Sequence, residues 1–518
     1  MSSDNSADYI VVGAGSAGCV VVNRLIESGA RVALLEAGGP DTKPEIHDPQ
    51  KVLSLWGSEV DWKYLTEPQD QLFGRQLMIS RGKVLGGSSA IYAMLYVRGN
   101  RRDYDHWNYL GNEGWSYDSV LPYFIKSENN SRGASRYHGA GGLLDVRDIP
   151  NPSPVARAFP HACVDLGFKG PEHDINGEQQ EDGGGLYQVN ITKEGKRCST
   201  AVAFLRPVLG RSNLRVETAA HATRILIERG RAVGVEYVQN GQTQQIRAER
   251  EVIVSAGAFD SPKLLMLSGL GPAAHLKEKG IAVAVDLPGV GQNLQDHVLV
   301  PIFYDSKVQM PPASFIAEAS LFTRTRPGLP AAAPDLQYHF SAGIPAFNPP
   351  DYKVSDANFV FVPILSRPQS RGTVSLRSSD PEAPPVIAPN YFQSDTDLGV
   401  LVHGVKLARE LAATRAFSDF TIKESAPGTA SSDEGVRDYI RKHCSTVWHV
   451  VGTCRMGRDR MGVVDPQLRV HGVDGLRVAD AAIMPDIVTG NTNAACVMIG
   501  ERAADFVLGR TSAQPAGV

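Results

Sequence analysis

The 518-residue chain predicts an α/β fold, α+β overall, in which a domain of parallel strands and helices is interleaved with a second domain on a mostly antiparallel sheet. Three observations predict it. The chain opens on a strand–glycine–helix–strand unit; short apolar strands return after residue 214; and a proline-rich stretch from about 298 to 390 carries strands of its own. The first observation makes the parallel domain Rossmann-like, because a βαβ unit with a glycine turn is the start of a doubly wound sheet.

The opening unit runs from a β-branched strand, Asp8 to Val12, through glycines into a helix from Cys19 to Ser28, which Gly29-Ala30 ends. Arg31 to Glu36 is the second strand, and a right-handed crossover is expected. Gly13, Gly15 and Gly18, with Ser16 and Ala17 between them, form G-x-G-x-x-G. The first glycine permits the tight turn, the second lets backbone approach a pyrophosphate, and the third lets helix and strand pack closely. The helix N-terminus adds unpaired N–H groups and positive partial charge. Alone, such a run is often a mere turn. Here Glu36 lies 18 residues after Gly18, where its carboxylate can accept both hydroxyls of a ribose and would repel a 2′-phosphate.

From Arg81 the chain reads Arg-Gly-Lys-Val-Leu-Gly-Gly-Ser-Ser, so Gly86, Gly87, Ser88 and Ser89 can bring N–H groups and hydroxyls onto phosphate or ring oxygens. A bland turn is the alternative. Strands are expected at Leu214 to Val216, Ala222 to Glu228, Ala232 to Tyr237 and Glu251 to Gly257, then a helix from a Ser261-Pro262 cap. Asp335 to Phe340, Asn358 to Pro363 and Gly372 to Arg377 read as strands of the second sheet, and Thr511 to Val518 as a frayed tail. The domains expected are therefore 1–155, 195–297 and 445–518 for the Rossmann-like part, and 156–194 with 298–444 for the other.

Composition narrows the class. Net charge −4 and pI near 6.4 exclude nucleic-acid binding driven by bulk charge. With 42% hydrophobic and 21% charged residues the chain is an ordinary soluble globular protein rather than a disordered one. Six cysteines without C-x-x-C or Cys/His spacing point to a reduced, cytoplasmic protein with no metal, and no stretch approaches the ~20 apolar residues of a membrane span.

Near the C-terminus, Trp448-His-Val-Val-Gly-Thr-Cys-Arg-Met-Gly and Gly475-Leu-Arg-Val-Ala-Asp-Ala-Ala-Ile-Met-Pro lead into Gly490-Asn-Thr-Asn-Ala-Ala-Cys before an apolar helix reaching about Leu508. Together with Gly257 to Pro272 and Gly289-Val-Gly-Gln-Asn-Leu-Gln-Asp-His297, in the same order along nearly the whole chain, these motifs resemble the glucose-methanol-choline oxidoreductase family, with the choline dehydrogenase-like bacterial branch nearest. The resemblance implies FAD, a fold of FAD domain plus substrate domain, and oxidation of an alcohol.

Such a reaction takes a proton from oxygen and a hydride from carbon to flavin N5, so the site needs a base and a group that orients the oxygen. The resemblance assigns His449 as base or alkoxide stabiliser and Asn493 as donor to the oxygen; alone, a histidine is usually structural and an asparagine before a helix usually a cap. FAD contacts are expected from the glycine loop, Glu36, Ala37, Arg81, Gly86 to Ser88, Tyr92, Ala222, Ala256, Trp448, Asp480, Ala481, Asn491 and Thr492. Asp480 could instead cap a strand end. The helix following Asn493 would stabilise an anionic reduced flavin.

Departures from the family pattern matter. Ile91 stands where covalently flavinylated choline oxidases carry a histidine, which implies non-covalent FAD. Tyr92 replaces an asparagine, and Val450 replaces a proline, which could loosen the turn at His449. Glu318 aligns in pattern with a glutamate that binds a trimethylammonium group, although a structurally paired glutamate is the alternative. Trp448, Tyr92, Phe340 and Phe347 could line a pocket for aryl or medium-chain primary alcohols, or be core. Val447 matches a valine associated with oxygen reactivity. Expected partners are a small alcohol and either O2 or a quinone-like acceptor. Choline-type alcohol oxidation, a non-redox flavin-containing hydroxynitrile lyase, a fatty-acid photodecarboxylase and a non-enzymatic dinucleotide-binding module are the competing readings.

Overall fold

The opening strand Ser6–Val12 lies parallel to Val32–Leu35 on one side and to Gln242–Val254 on the other. Ile10 and Val11 are fully buried, as both faces of a parallel sheet are covered and its strands read as unbroken apolar runs. Leu214–Glu217 extends the sheet beyond Val32–Leu35. The long strand Gln242–Val254 changes partner along its length: its start pairs antiparallel with Arg231–Gln239, and its end pairs parallel with Leu476–Val478. The computed structural model describes residues 5–311, 313–326, 332–344, 348–428, 430 and 432–510. Phe347 and Thr511 to Val518 lie outside them.

The helix Gly18–Glu27 covers this sheet and packs on the C-terminal helix Asn493–Val507. A β-carbon on Gly500 would stand 2.7 Å from the Ala17 carbonyl oxygen, so the crossing needs a glycine there. The two helices are also joined by Arg24, which donates to both oxygens of the fully buried Glu501 carboxylate, at 2.9 and 2.6 Å.

The second sheet is antiparallel throughout, in the order Thr421–Ala426, Ile302–Ser306, Asn358–Leu365, Leu336–Ala342, Ala319–Thr323 and Gly183–Leu186. The helices Pro154–Asp165 and Asp395–Ala412 cover it, and Phe159, Phe340, Phe359, Phe361 and Phe417 interlock in its core. Contrary to the expectation for Gly372 to Arg377, Thr373–Ser375 is not a strand of this sheet. It forms a separate hairpin with Val386–Ala388, and Val374 and Ile387 pack on Ala258 and Phe259 of the Rossmann-like half.

The helix expected from Ser261-Pro262 begins earlier, spanning Gly257–Leu267 with Pro262 inside it. Proline has no N–H for the carbonyl of residue 258, which would strand that oxygen. The Thr453 hydroxyl donates to the Ala258 carbonyl at 2.6 Å, so a side chain from the segment after His449 supplies the missing bond. Among the described residues no helix is long and apolar enough to cross a membrane, and no three His, Cys, Asp or Glu side chains group to hold a metal.

Candidate active site

A cavity of about 450 Å³ lies between the two halves, within the size range of small-molecule sites. At one end is the glycine loop. Gly13 has φ +100° and its missing β-carbon would meet the Ser255 carbonyl oxygen at 2.4 Å; that of Gly18 would meet the Gly13 carbonyl oxygen at 2.0 Å. The second glycine run locks onto the first: Gly86 N–H donates to the Ala14 carbonyl at 2.8 Å, and Gly87, at φ +51°, would place a β-carbon 2.6 Å from the Gly15 Cα. Gly18 and Gly86 thus shape the wall without lining it, whereas Gly13, Gly15, Ser16, Ala17, Gly87 and Ser88 line it.

Glu36 ends its strand on the same wall. Its carboxylate accepts from Ala14 N–H at 2.9 Å and Gly38 N–H at 2.8 Å, and burial pushes its pKa up to about 7. Ala37, Ala222, Ala256, Ala481 and Thr492 line the cavity beside it. Asp480 also lines it, and is a cap as well: its oxygens accept from Gly257 N–H, Ser261 Oγ and Ala482 N–H at 2.8, 2.6 and 2.7 Å.

At the other end stands His449, 9% exposed. Its Nδ1 is 2.9 Å from His297 Nδ1, and its Nε2 is 3.3 Å from Asn491 Nδ2. Burial, with His297, His339 and Arg81 around it, holds its imidazole well below the usual histidine range. Asn491 is oriented in turn by Gln337, whose Nε2 donates to Asn491 Oδ1 at 3.4 Å and to Tyr187 Oη at 3.0 Å. The amide nitrogen of Asn491 therefore faces His449.

The turn holding His449 is fixed without the usual proline. Asp296 accepts from the backbone N–H of His449 and of His297, at 2.8 and 2.9 Å, and from the Thr446 and Tyr391 hydroxyls. Burial raises its pKa to about 6. Trp448 adopts φ 61°, a left-handed conformation that costs a non-glycine residue energy and persists only when held. Its N–H donates to Thr446 Oγ1, its Nε1 to the Met78 carbonyl, and its carbonyl accepts from Arg81 Nη2. Val450 is buried behind it.

Several assignments read from the sequence change. Asn493, expected to donate to the alcohol oxygen, lines the cavity with its Nδ2 donating to Ser16 Oγ at 2.7 Å, in the glycine loop, while Asn491, expected at the cofactor, lies with its Nδ2 3.3 Å from His449 Nε2. Glu318 is off the cavity, 2% exposed, with its carboxylate accepting from Ser153 N–H and Oγ at 2.8 and 2.6 Å, which caps the helix Pro154–Asp165. Phe340 is core, stacked on Phe159 at 4.7 Å. Tyr92 and Trp448 do line the cavity; the Tyr92 hydroxyl donates to Asn190 Oδ1 at 2.8 Å. Asp296, His297, Gln337 and His339 went unassigned. Only the Asp296-His297 pair carried a signal, as the end of a glycine-bearing motif.

The GMC oxidoreductase family matches residues 7–299 with its N-terminal part and 368–500 with its C-terminal part. The chain belongs to the GMC oxidoreductase family. It is 42% identical to an oxygen-dependent choline dehydrogenase of Sinorhizobium medicae, over 97% of this chain and 96% of that one, and 42% identical to one of Brucella anthropi, over 98% and 96%. Among solved structures, pyridoxine 4-oxidase from Mesorbium loti superposes with a TM-score of 0.92 at 32% identity, covering 98% of this chain and all of that one. Aspergillus oryzae formate oxidase follows at 0.89 and 28%, over 98% of each chain. A fungal aryl-alcohol oxidase at 23% identity shares the fold, with a TM-score of 0.85 and coverage of 98% and 99%.

As a GMC oxidoreductase the chain is an FAD-dependent enzyme acting on CH–OH groups, and its residues fit that cofactor. A β-carbon on Gly15 would meet nothing nearer than the Ser255 carbonyl oxygen at 4.0 Å, so this glycine keeps open a part of the cavity that a side chain would fill. Asn493 Oδ1 is buried with no partner among the described residues, an acceptor awaiting a donor beside Ser16. The first turn of the helix Asn493–Val507 reaches the cavity through Asn493 and Cys496, so its positive end addresses whatever anionic group lies there.

Proposed function

We propose that this GMC oxidoreductase oxidises uncharged primary alcohols with an apolar body, aryl or medium-chain, to the aldehyde. One observation carries the reading: beyond His449 and Asn491 the cavity wall is mostly apolar, with Leu299, Phe303, Ile316, Ile344, Val362 and Val447 beside the polar His339, His443, Ser445 and Thr446, and no carboxylate lies on it. The acids that line the cavity, Glu36, Asp260 and Asp480, all belong to the Rossmann-like half. A quaternary ammonium group would therefore enter without a countercharge, which is unfavourable at a desolvated site.

When bound, FAD supplies the hydride acceptor. His449 Nε2 takes the hydroxyl proton and Asn491 Nδ2 donates to the alcohol oxygen, holding it as negative charge develops. The apolar wall excludes water. FAD is held without a covalent bond, since Ile91, at the cavity edge, offers no nucleophile. The final electron acceptor would be O2 or a quinone-like molecule.

Steady-state kcat/KM for benzyl alcohol, hexanol and choline tests the substrate class. A charged group buried unpaired costs several kcal/mol, so benzyl alcohol or hexanol should exceed choline by at least ~10²-fold. A preference for choline would overturn the reading.

A further inference from the structure

His449 and His297 meet edge to face, ring centroids 5.1 Å apart and planes at 84°, with Nδ1 facing Nδ1 at 2.9 Å. Two bare nitrogens would repel and two N–H groups would clash, so one donates and the other accepts. Which is which is decided one step further out. His297 Nε2 lies 3.0 Å from the Ser366 carbonyl oxygen. A carbonyl only accepts, so His297 carries its proton on Nε2. Fully buried, with its pKa pushed down to about 3 chiefly by burial, His297 is neutral and its Nδ1 is bare. His449 must then donate from Nδ1, which leaves its Nε2, the nitrogen facing Asn491, without a proton.

We propose that His297 is a positioning residue that locks His449 into the Nδ1–H tautomer, so that the nitrogen facing the substrate is always the base. This rests on His449 acting as base. The alcohol O–H bond breaks and its proton joins His449 Nε2; the resulting imidazolium keeps Nδ1–H on His297 Nδ1, now a charge-assisted hydrogen bond. The array ends on the Ser366 carbonyl, which takes no proton, so it is a lock and not a proton wire. Asp296 holds the backbone N–H groups of both histidines and so keeps the rings in register, while Arg81 and His339, the other titratable groups near His449, disfavour its protonation before the alcohol arrives.

The test uses FAD-loaded enzyme labelled with 15N-histidine, the His449 signals being those that vanish in His449→Gln. The proposal expects Nδ1 of His449 in the protonated range and Nε2 in the unprotonated range; the reverse overturns it. In anaerobic stopped flow, His297→Leu should lower the limiting rate of flavin reduction by ~10² to 10⁴-fold with the half-saturating alcohol concentration within about threefold, the size of effect seen when a catalytic histidine loses its tautomer. His297→Gln, whose amide oxygen can accept from His449 Nδ1, should recover most of that rate. Full-rate reduction by His297→Leu, or equal loss in His297→Gln, overturns the proposal. Full-rate reduction by His449→Gln would instead remove the base assignment beneath it.

Discussion

Replacing His449 with alanine removes the imidazole whose Nε2 faces the Asn491 amide nitrogen. The protein should stay yellow and folded, while flavin reduction by alcohol slows by ~10² to 10⁴-fold, the range for loss of a positioned base; stopped-flow absorbance checks it. Because its surroundings hold His449 well below 6.5, kcat/KM in the wild type should show no acid limb near that pH. The sign follows directly: the unprotonated form is the working one, and a lowered pKa keeps it populated further into acid. The two asparagines should separate by readout. Asn491→Ala should lower the limiting reduction rate, and Asn493→Ala, which leaves Ser16 unpaired, should weaken FAD retention measured by equilibrium dialysis. His449 was legible in the sequence through its motif. The choice between Asn491 and Asn493 was not, because Asn-Thr-Asn spacing is the same whichever one turns to the histidine, and the turn before the helix decides that.

At the scale of elements, the cofactor end depends on two glycine runs lying in contact. Gly87→Ala would set a β-carbon 2.6 Å from the Gly15 Cα at a positive φ, so the loops must separate. The expected outcome is weakened FAD binding and a lower Tm, seen by dialysis and thermal denaturation. Thr453→Val leaves the Ala258 carbonyl without its donor, and should cost about 1 to 3 kcal/mol in denaturant unfolding. The βαβ unit was readable because β-branched runs, glycine spacing and the acid all agree. The strand Gly183–Leu186 was not, since glycine is poor in strands; it is there because the helix Pro154–Asp165 passes so close that a β-carbon on Gly184 would stand 2.4 Å from Cys163 Sγ. The Thr373–Ser375 hairpin reads locally like any strand, and only its packing on Ala258 and Phe259 places it with the other half.

For the whole molecule, the reacting end is assembled from distant segments: His297, Gln337, His449 and Asn491 are joined by hydrogen bonds although they lie far apart in the chain. Nothing local marks such convergence, which is why Gln337 and His339 carry no sign of it in the sequence, while His297 shows only as the end of a glycine-bearing motif and Asn491 only as an expected cofactor contact. The residues that would hold FAD belong to the Rossmann-like half, so its binding should stabilise the fold. Removing it should lower the Tm, by the equivalent of about 2.7 kcal/mol when compared with enzyme at a hundredfold excess of FAD over its Kd. Acid precipitation should release all the yellow colour, because Ile91 cannot form a bond to the ring; colour kept in the pellet would contradict non-covalent binding. On this reading the site takes a hydride from an apolar alcohol. Anaerobic flavin absorbance on adding benzyl alcohol, hydroxymethylfurfural, hexanol, pyridoxine, choline and a sugar alcohol tests it most directly, with air readmitted afterwards to tell O2 from another acceptor by the speed of recolouring. The expected result is bleaching by benzyl alcohol, hydroxymethylfurfural or hexanol and none by choline. A flavin left fully oxidised by every alcohol would contradict the account and point to a non-redox lyase or a light-driven decarboxylase.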